Sequence, residues 1–152
     1  MSENLLRVQP IRNGTVIDHI KPGIGRKILD VLNLSESGTT ISLLMNVPSK
    51  KQNRKDIIKV EDRELSEDEI EKLALLSPKA RVNIIRNYAV AEKKMVEIPE
   101  KISGTVHCSN DNCISNNERG AMSQFKLLET ENLRIQCVYC GRKIVEDEIS
   151  FL

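Results

Sequence analysis

Four cysteines stand in the last third of the 152-residue chain, as Cys108-x4-Cys113 and Cys137-x2-Cys140, and the sequence has no others. Thiolates are soft donors, and two short Cys hairpins joined by a longer spacer are what a tetrahedral zinc ion requires. Each hairpin aims two sulfurs the same way, and the spacer brings the pairs face to face. Local composition suits this: Ser109, Asn110, Asp111 and Asn112 are turn formers, and Gly141 can take the positive φ of a knuckle. Two other chemistries use the same residues. Disulfides need an oxidising compartment, and the lack of an apolar leader points to a reducing cytoplasm. A redox Cys-x-x-Cys opens a helix, whereas the alternating Lys143-Ile144-Val145-Glu146 after Cys140 reads as strand. One structural zinc ion per chain is therefore expected on Cys108, Cys113, Cys137 and Cys140. Four protein sulfurs leave no open position for substrate, so the metal folds the chain and does not catalyse. His107 reads as a neighbour of the site and not a ligand.

The segment that the metal would organise, residues 103–152, is poor in large apolar side chains. A module of about 50 residues with so small a core can hardly offset its chain entropy without a metal. Alternation in Ser123 to Leu127, Leu133 to Gln136 and Arg142 to Val145 predicts a compact antiparallel unit of zinc-ribbon type. Such ribbons often bind nucleic acid, and charge decides against that here. Five basic residues face seven acidic ones, with only Tyr139, Phe125 and Phe151 as aromatics. Phosphate tracking and base stacking need the opposite balance, so protein contact is expected and nucleic acid is not.

The whole chain carries a net charge of +1, 30% charged residues, 3% aromatic residues and no Trp. That composition fits one or two water-borne domains; no apolar run is long enough for a membrane span, and a cytoplasmic setting is expected. Pro99 and Gly104 break the pattern, so the expected domains are 1–98 and 103–152. In the front part, Leu6 to Ile11 has β character and Gly14 to Ile20 is extended. A helix follows Pro22-Gly23, with Ile24, Ile28, Val31 and Leu32 on one side. Thr39 to Val47 reads as a strand ended by Pro48, with Ile41, Leu43, Met45 and Val47 on one face. Lys50 to Lys55 reads as a charged loop, and Asp56 to Val60 as a strand. Ser66-Glu67-Asp68-Glu69 is a capping box that opens a helix running to Ser77-Pro78. Ala80 to Arg86 and Val90 to Ile98 read as strands around a turn at Asn87-Tyr88. The order βαββαβ plus one strand predicts an α+β fold, a ferredoxin-like antiparallel sheet with both helices on one face, followed by the small zinc-bound β domain. The other sheet face is left without cover.

Gly14-Thr15-Val16-Ile17-Asp18-His19-Ile20, Arg54 to Val60 and the four-cysteine spacing together resemble the regulatory chain family of aspartate carbamoyltransferase, over essentially the whole chain. The resemblance implies a non-catalytic subunit of de novo pyrimidine biosynthesis. Its front domain would bind nucleotide effectors, CTP as inhibitor and ATP as activator, and pair with a second regulatory chain as a homodimer. Its zinc domain would dock onto the catalytic chain.

The resemblance also implies an effector pocket. It comprises Val8, Gln9, Pro10 and Ile11 near the N-terminus, and Val16, Asp18 and His19 on the first strand. Lys59, Asn83 and Ile85 follow, and Tyr88, Val90 and Lys93 complete it. Lys59 and Lys93 are cations able to meet phosphate and ribose, and Asp18 can accept from sugar hydroxyls or orient His19. Ile11, Tyr88 and Val90 would wall an apolar slot. No glycine-rich phosphate loop is present, which suits reversible binding. Gln9 stands where enteric-type chains have an acid, and Pro10 removes a backbone donor beside it. Taken singly, Asp18-His19 reads as a surface pair, Lys59 and Lys93 as solvated strand residues, and Tyr88 as sheet cover. On residues alone a zinc-ribbon adaptor or nucleic-acid-binding factor with a ferredoxin-like ligand domain stays open. No Ser-His-Asp set or paired carboxylate site points to an enzyme.

Overall fold

A computed structural model describes residues 10–50 and 53–152. Its first half builds one five-stranded antiparallel sheet from β1 (Gly14–Ile20), β2 (Ile41–Ser49), β3 (Asn53–Glu61), β4 (Arg81–Arg86) and β5 (Ala89–Met95), in the order β2-β3-β1-β4-β5. Helices α1 (Gly25–Val31) and α2 (Glu67–Leu76) complete the βαββαβ unit. Alternation explains the layers. Ile17, Ile58, Val60, Val82 and Ile84 are buried and form one core with Ile28 of α1 and Leu73 and Ala74 of α2. The residues between them on each strand point to the opposite face, which carries no helix among the described residues.

The capping box forms as expected. Ser66 Oγ accepts from the Glu69 N–H at 3.3 Å, and Glu69 Oε1 accepts from the Ser66 N–H at 2.9 Å. Three acidic residues lie in that first turn of α2, where the helix dipole favours them. The shorter α1 has no side-chain cap of its own. Asp56, fully buried on β3, supplies one from across the fold. Its Oδ2 accepts from the N–H groups of Gly23 and Gly25, both at 3.0 Å, and its Oδ1 from Asn46 at 2.9 Å. Gly25 permits this approach, since a Cβ there would lie 2.9 Å from the carboxylate and 2.7 Å from Leu43.

Several expectations change. β2 runs through Pro48, which an edge strand tolerates because its outward side needs no donor. Asn46 takes φ 58° and the β2–β3 register shifts between Leu44 and Val47, so Met45 is exposed and does not share a buried face with Ile41 and Leu43. The expected loop from Lys50 to Lys55 is shorter, because β3 already begins at Asn53. The last front strand stops at Met95. Pro10 and Ile11 lie outside any strand, and the remainder of the strand expected at Leu6 to Ile11 falls outside the described residues.

The second half forms two small sheets. The first has the order β10-β9-β8-β6, from β6 (Lys101–Ser103), β8 (Gln124–Glu129), β9 (Arg134–Cys137) and β10 (Lys143–Val145). The second pairs β7 (Val106–His107) with β11 (Ser150–Phe151), and a short helix, α3 (Ile114–Asn117), lies between the sheets in sequence. Phe125, Ile102, Ile135 and Ile144 form its core with three of the cysteines. The two cores touch: Leu75 of α2 belongs to the second, while Ile98 and Phe151 pack against both. Lys21 and Glu146 make an ion pair across the same seam at 3.3 Å.

Asp56→Ala strips acceptors from three N–H groups at once. The expected result is a loss of about 3 kcal/mol, read as a lower urea midpoint with an unchanged m-value. A midpoint equal to that of the unaltered chain would show that these bonds do not hold α1.

Candidate metal centre and an open-face ligand site

Cys108 follows β7 and Cys113 precedes α3, while Cys137 ends β9 and Cys140 closes the next turn. The second hairpin is shaped by its backbone: Cys137 N–H donates to Arg142 at 2.9 Å, Gly141 N–H donates to Cys137 at 3.0 Å, and Gly141 takes φ 78°. The four sulfurs lie within 4.8 Å of one another. Cys108 and Cys140 approach to 3.6 Å, as do Cys113 and Cys137, and none is in a disulfide. A tetrahedral ion with metal–sulfur bonds of about 2.3 Å has sulfur–sulfur edges of about 3.8 Å, so the set fits such an ion. His107 stands outside this cluster.

The thiols are unequal without a cation between them. Burial pushes Cys108 up to about 12 and raises Cys137 as well. Burial also opposes ionisation of Cys140, yet hydrogen bonds from the Arg142 backbone and the Asn110 side chain bring it down to about 6. At Cys113 bonds from Ser115 outweigh burial and lower the thiol. A bound cation stabilises the thiolate form of all four, and protons compete with it for the sulfurs. Around the hairpins Ile114, Met122, Val138 and Tyr139 are exposed apolar or aromatic side chains, and Tyr139 Oη donates to the Met122 carbonyl at 2.9 Å.

The open face of the front sheet gathers most of the other expected residues. Antiparallel register places Lys59 opposite Val16, Val16 opposite Asn83, and Asn83 opposite Lys93. These four therefore form one continuous row across β3, β1, β4 and β5, and Ser42 of β2 extends it beside Lys59. Ile85 and Val90 pair directly one step toward the β4–β5 turn. Tyr88 sits in that turn with φ 67° after Asn87 at 54°, the geometry of a tight two-residue hairpin. Its N–H donates to Arg12 at 2.8 Å, which ties the turn to the segment holding Pro10 and buried Ile11. Val8 and Gln9 lie outside the described residues.

Asp18 lies toward the other end of the row, where Lys55 Nζ is 3.0 Å from its Oδ1. His19 is not brought onto the face in the same way. It takes φ 58° where the β1–β3 register shifts, and its N–H donates to Asp18 Oδ1 at 2.6 Å. It lines a cavity of ≈ 450 Å³ at the seam, with Lys21, Ser77, Thr130 and Glu146. Lys55 is the residue that sequence reasoning missed, because it fell in an expected loop. The signal was present in the alternation Lys55, Ile57, Lys59 against buried Asp56, Ile58, Val60.

Comparison with known proteins agrees with both halves. Residues 6–97 match the family model described as aspartate carbamoyltransferase regulatory chain, allosteric domain, and residues 100–150 match its metal binding domain. The chain is 50% identical over 146 residues to the aspartate carbamoyltransferase regulatory chain of Pyrococcus horikoshii, covering 95% of each. It is 48% identical over 151 residues to that of Thermococcus kodakarensis, covering 99% of this chain and 98% of the relative. It is 45% identical over 153 residues to that of Methanothrix thermoacetophila, covering 100% and 99%.

Removing one sulfur by Cys113→Ser, or stripping the metal with a chelator, should unfold residues 103–152 and leave the front helices formed, because the small core has little else to hold it. Metal retention should fall as pH drops, since protons displace the ion from thiolate. Metal content and circular dichroism at several pH values measure both. A metal-free chain with an intact second core would overturn the expectation.

Proposed function

The chain belongs to the family of aspartate carbamoyltransferase regulatory chains, and we propose that it binds nucleotide effectors on the open sheet face and docks onto the catalytic chain through its cysteine module. It is a non-catalytic regulatory subunit with an allosteric and a metal-binding domain. The proposed limits of these domains are residues 1–98 and 103–152. The observation that carries the effector reading is the cross-strand row Lys59–Val16–Asn83–Lys93 on a face no helix covers. Lys59, Lys93 and Lys55 supply positive charge for a triphosphate. Asp18 accepts from ribose hydroxyls, and Ile85, Val90 and Tyr88 wall the base, with Pro10 and Ile11 beside them. CTP as inhibitor and ATP as activator fit such a site, whose two ends treat phosphate and base separately. Val8, Gln9 and His19 remain in the proposed site on the resemblance.

Zinc is the metal that suits four thiolates in a closed tetrahedral set, and its role is structural. Docking uses the exposed apolar rim around the hairpins, Ile114, Met122, Val138 and Tyr139, on a module whose acidic balance disfavours nucleic acid. A second regulatory chain pairs along β2, an edge strand of the front sheet. The assembled enzyme works in pyrimidine biosynthesis in the cytoplasm. No helix among the described residues is long and apolar enough to cross a membrane. An effector acts here by its difference in affinity for two states of the assembly. The path from the face to the docking module is short, through Leu75, Ile98 and Phe151 at the seam.

Lys59→Ala should weaken triphosphate binding by about 1.5–3 kcal/mol, because half-buried Lys59 makes charge-assisted bonds away from bulk water. Lys93→Ala should cost less, since Lys93 is exposed and its charge is screened. Calorimetry with CTP and ATP reads both effects, and metal content should not change. Affinity equal to that of the unaltered chain in both variants would remove the open face as the effector site. Mixing with a catalytic trimer tests docking, and the aspartate dependence of the product should change.

A further inference from the structure

The two cysteine hairpins are closed by different means. The x2 hairpin is held by backbone bonds and a left-handed glycine. The longer x4 hairpin has one comparable backbone bond, Cys113 N–H to Asn110 at 2.9 Å. Four further bonds to its carbonyls come from two neighbouring side-chain amides. Asn116 Nδ2 donates to the carbonyls of Cys108 at 2.9 Å and Asn110 at 2.8 Å. Asn117 Nδ2 donates to the carbonyls of Asp111 at 3.0 Å and Cys113 at 2.8 Å.

A primary amide nitrogen has two hydrogens, so each Asn uses its full donor capacity inside the loop. The four acceptors include both ligand residues of the hairpin and two of the four residues between them. Within the loop the Asn112 N–H also donates to Asn110 Oδ1 at 3.1 Å, but that bond reaches neither ligand residue. The helix that carries both amides is four residues long and has no side-chain cap, and a single helical turn is not stable by itself. The amide hydrogens of half-buried Asn116 and exposed Asn117 are thus used within the loop.

We propose that Asn116 and Asn117 are positioning residues of the metal centre, an amide clasp that holds Cys108 and Cys113 at ligating separation and sets how slowly the metal leaves. Groups that orient metal ligands through hydrogen bonds commonly change metal affinity by about 10–100-fold when removed. The clasp acts on the ligand backbone and not on the sulfurs. Its loss should widen the range of sulfur positions without removing a donor. The inference rests on the metal-binding reading of the cysteine module and adds to it the residues that preorganise one half of the site.

The test uses the full zinc-loaded chain with Asn116→Ala and Asn117→Ala, and Asn132→Ala as control. Asn132 is an exposed amide that reaches only Glu129, at 3.4 Å. Zinc transfer to the chromophoric chelator 4-(2-pyridylazo)resorcinol should be faster by about 10-fold in each clasp variant, at the lower end of that range, and unchanged in the control. Cobalt(II) in place of zinc provides a readout that a loss of stability alone would not move. Bound cobalt in the clasp variants should show a shifted, broader visible band, whereas a purely structural role would lower the amount bound and leave the band as it is. Asn116→Ser and Asn117→Ser serve the same two measurements should either alanine variant fail to accumulate. Faster release together with an altered band supports the clasp. Release at the unaltered rate, or an unaltered cobalt band, overturns it. A chain that takes up no metal at all, even unaltered, would fail the metal-binding reading instead.

Discussion

Four thiols converge within 4.8 Å at one end of a module with a small core, and most of the C-terminal architecture follows from that convergence. Burial resists ionisation of Cys108 and Cys137, while hydrogen bonds favour it at Cys113 and Cys140. With a dication the four sulfurs become a cross-link between two hairpins that are distant in sequence. The strands around them are short; β10 has three residues and β11 two. Elements of that length do not persist in water without packing or a covalent-like tie. The metal supplies the tie, and Phe125, Ile135 and Ile144 pack around the result.

The front domain is organised by an asymmetry between the two faces of its sheet. Both helices cover one face, so the residues that alternate inward are Ile, Val and Leu, and those that alternate outward are free to be Lys, Asp and Asn. Besides Thr15, Asp56 is the buried polar exception on the inward side. Its side chain is accommodated there because three backbone N–H groups donate to it. It joins the start of α1, the bulge at Asn46 and strand β3 at a single point.

Communication between the halves needs a physical seam, and this one is mainly apolar. Leu75, Ile98 and Phe151 leave little freedom for one half to move without disturbing the other's core. Lys21 with Glu146 is half-exposed and adds little energy, though it marks where the edges meet. Phe151 belongs to β11, which pairs with β7 immediately before the first metal ligand, Cys108. Phe151 therefore packs against the front core while its strand pairs with the one that leads into the first ligand.

Much of this was legible in the residues themselves. Cysteine spacing identified the ligands because metal coordination needs only residue type and local turn geometry. Ser66 to Glu69 announced α2 because capping is local, and alternation announced β1, β3 and β4 because burial on one face imposes a period of two. What local pattern could not reach was anything set by long-range register. Register shifts at His19 and between Leu44 and Val47 break the alternation, so Met45 does not share one face with Ile41 and Leu43 as its spacing suggested. Lys55 looked like loop until β3 was seen to begin at Asn53. The row from Lys59 to Lys93 exists only because four strands separated in sequence align by backbone hydrogen bonds. The bonds from the Asn116 and Asn117 amides likewise depend on the cysteine loop folding back toward them. Residue type and local spacing decided which chemistry the chain can perform, and only tertiary pairing decided which of those residues meet.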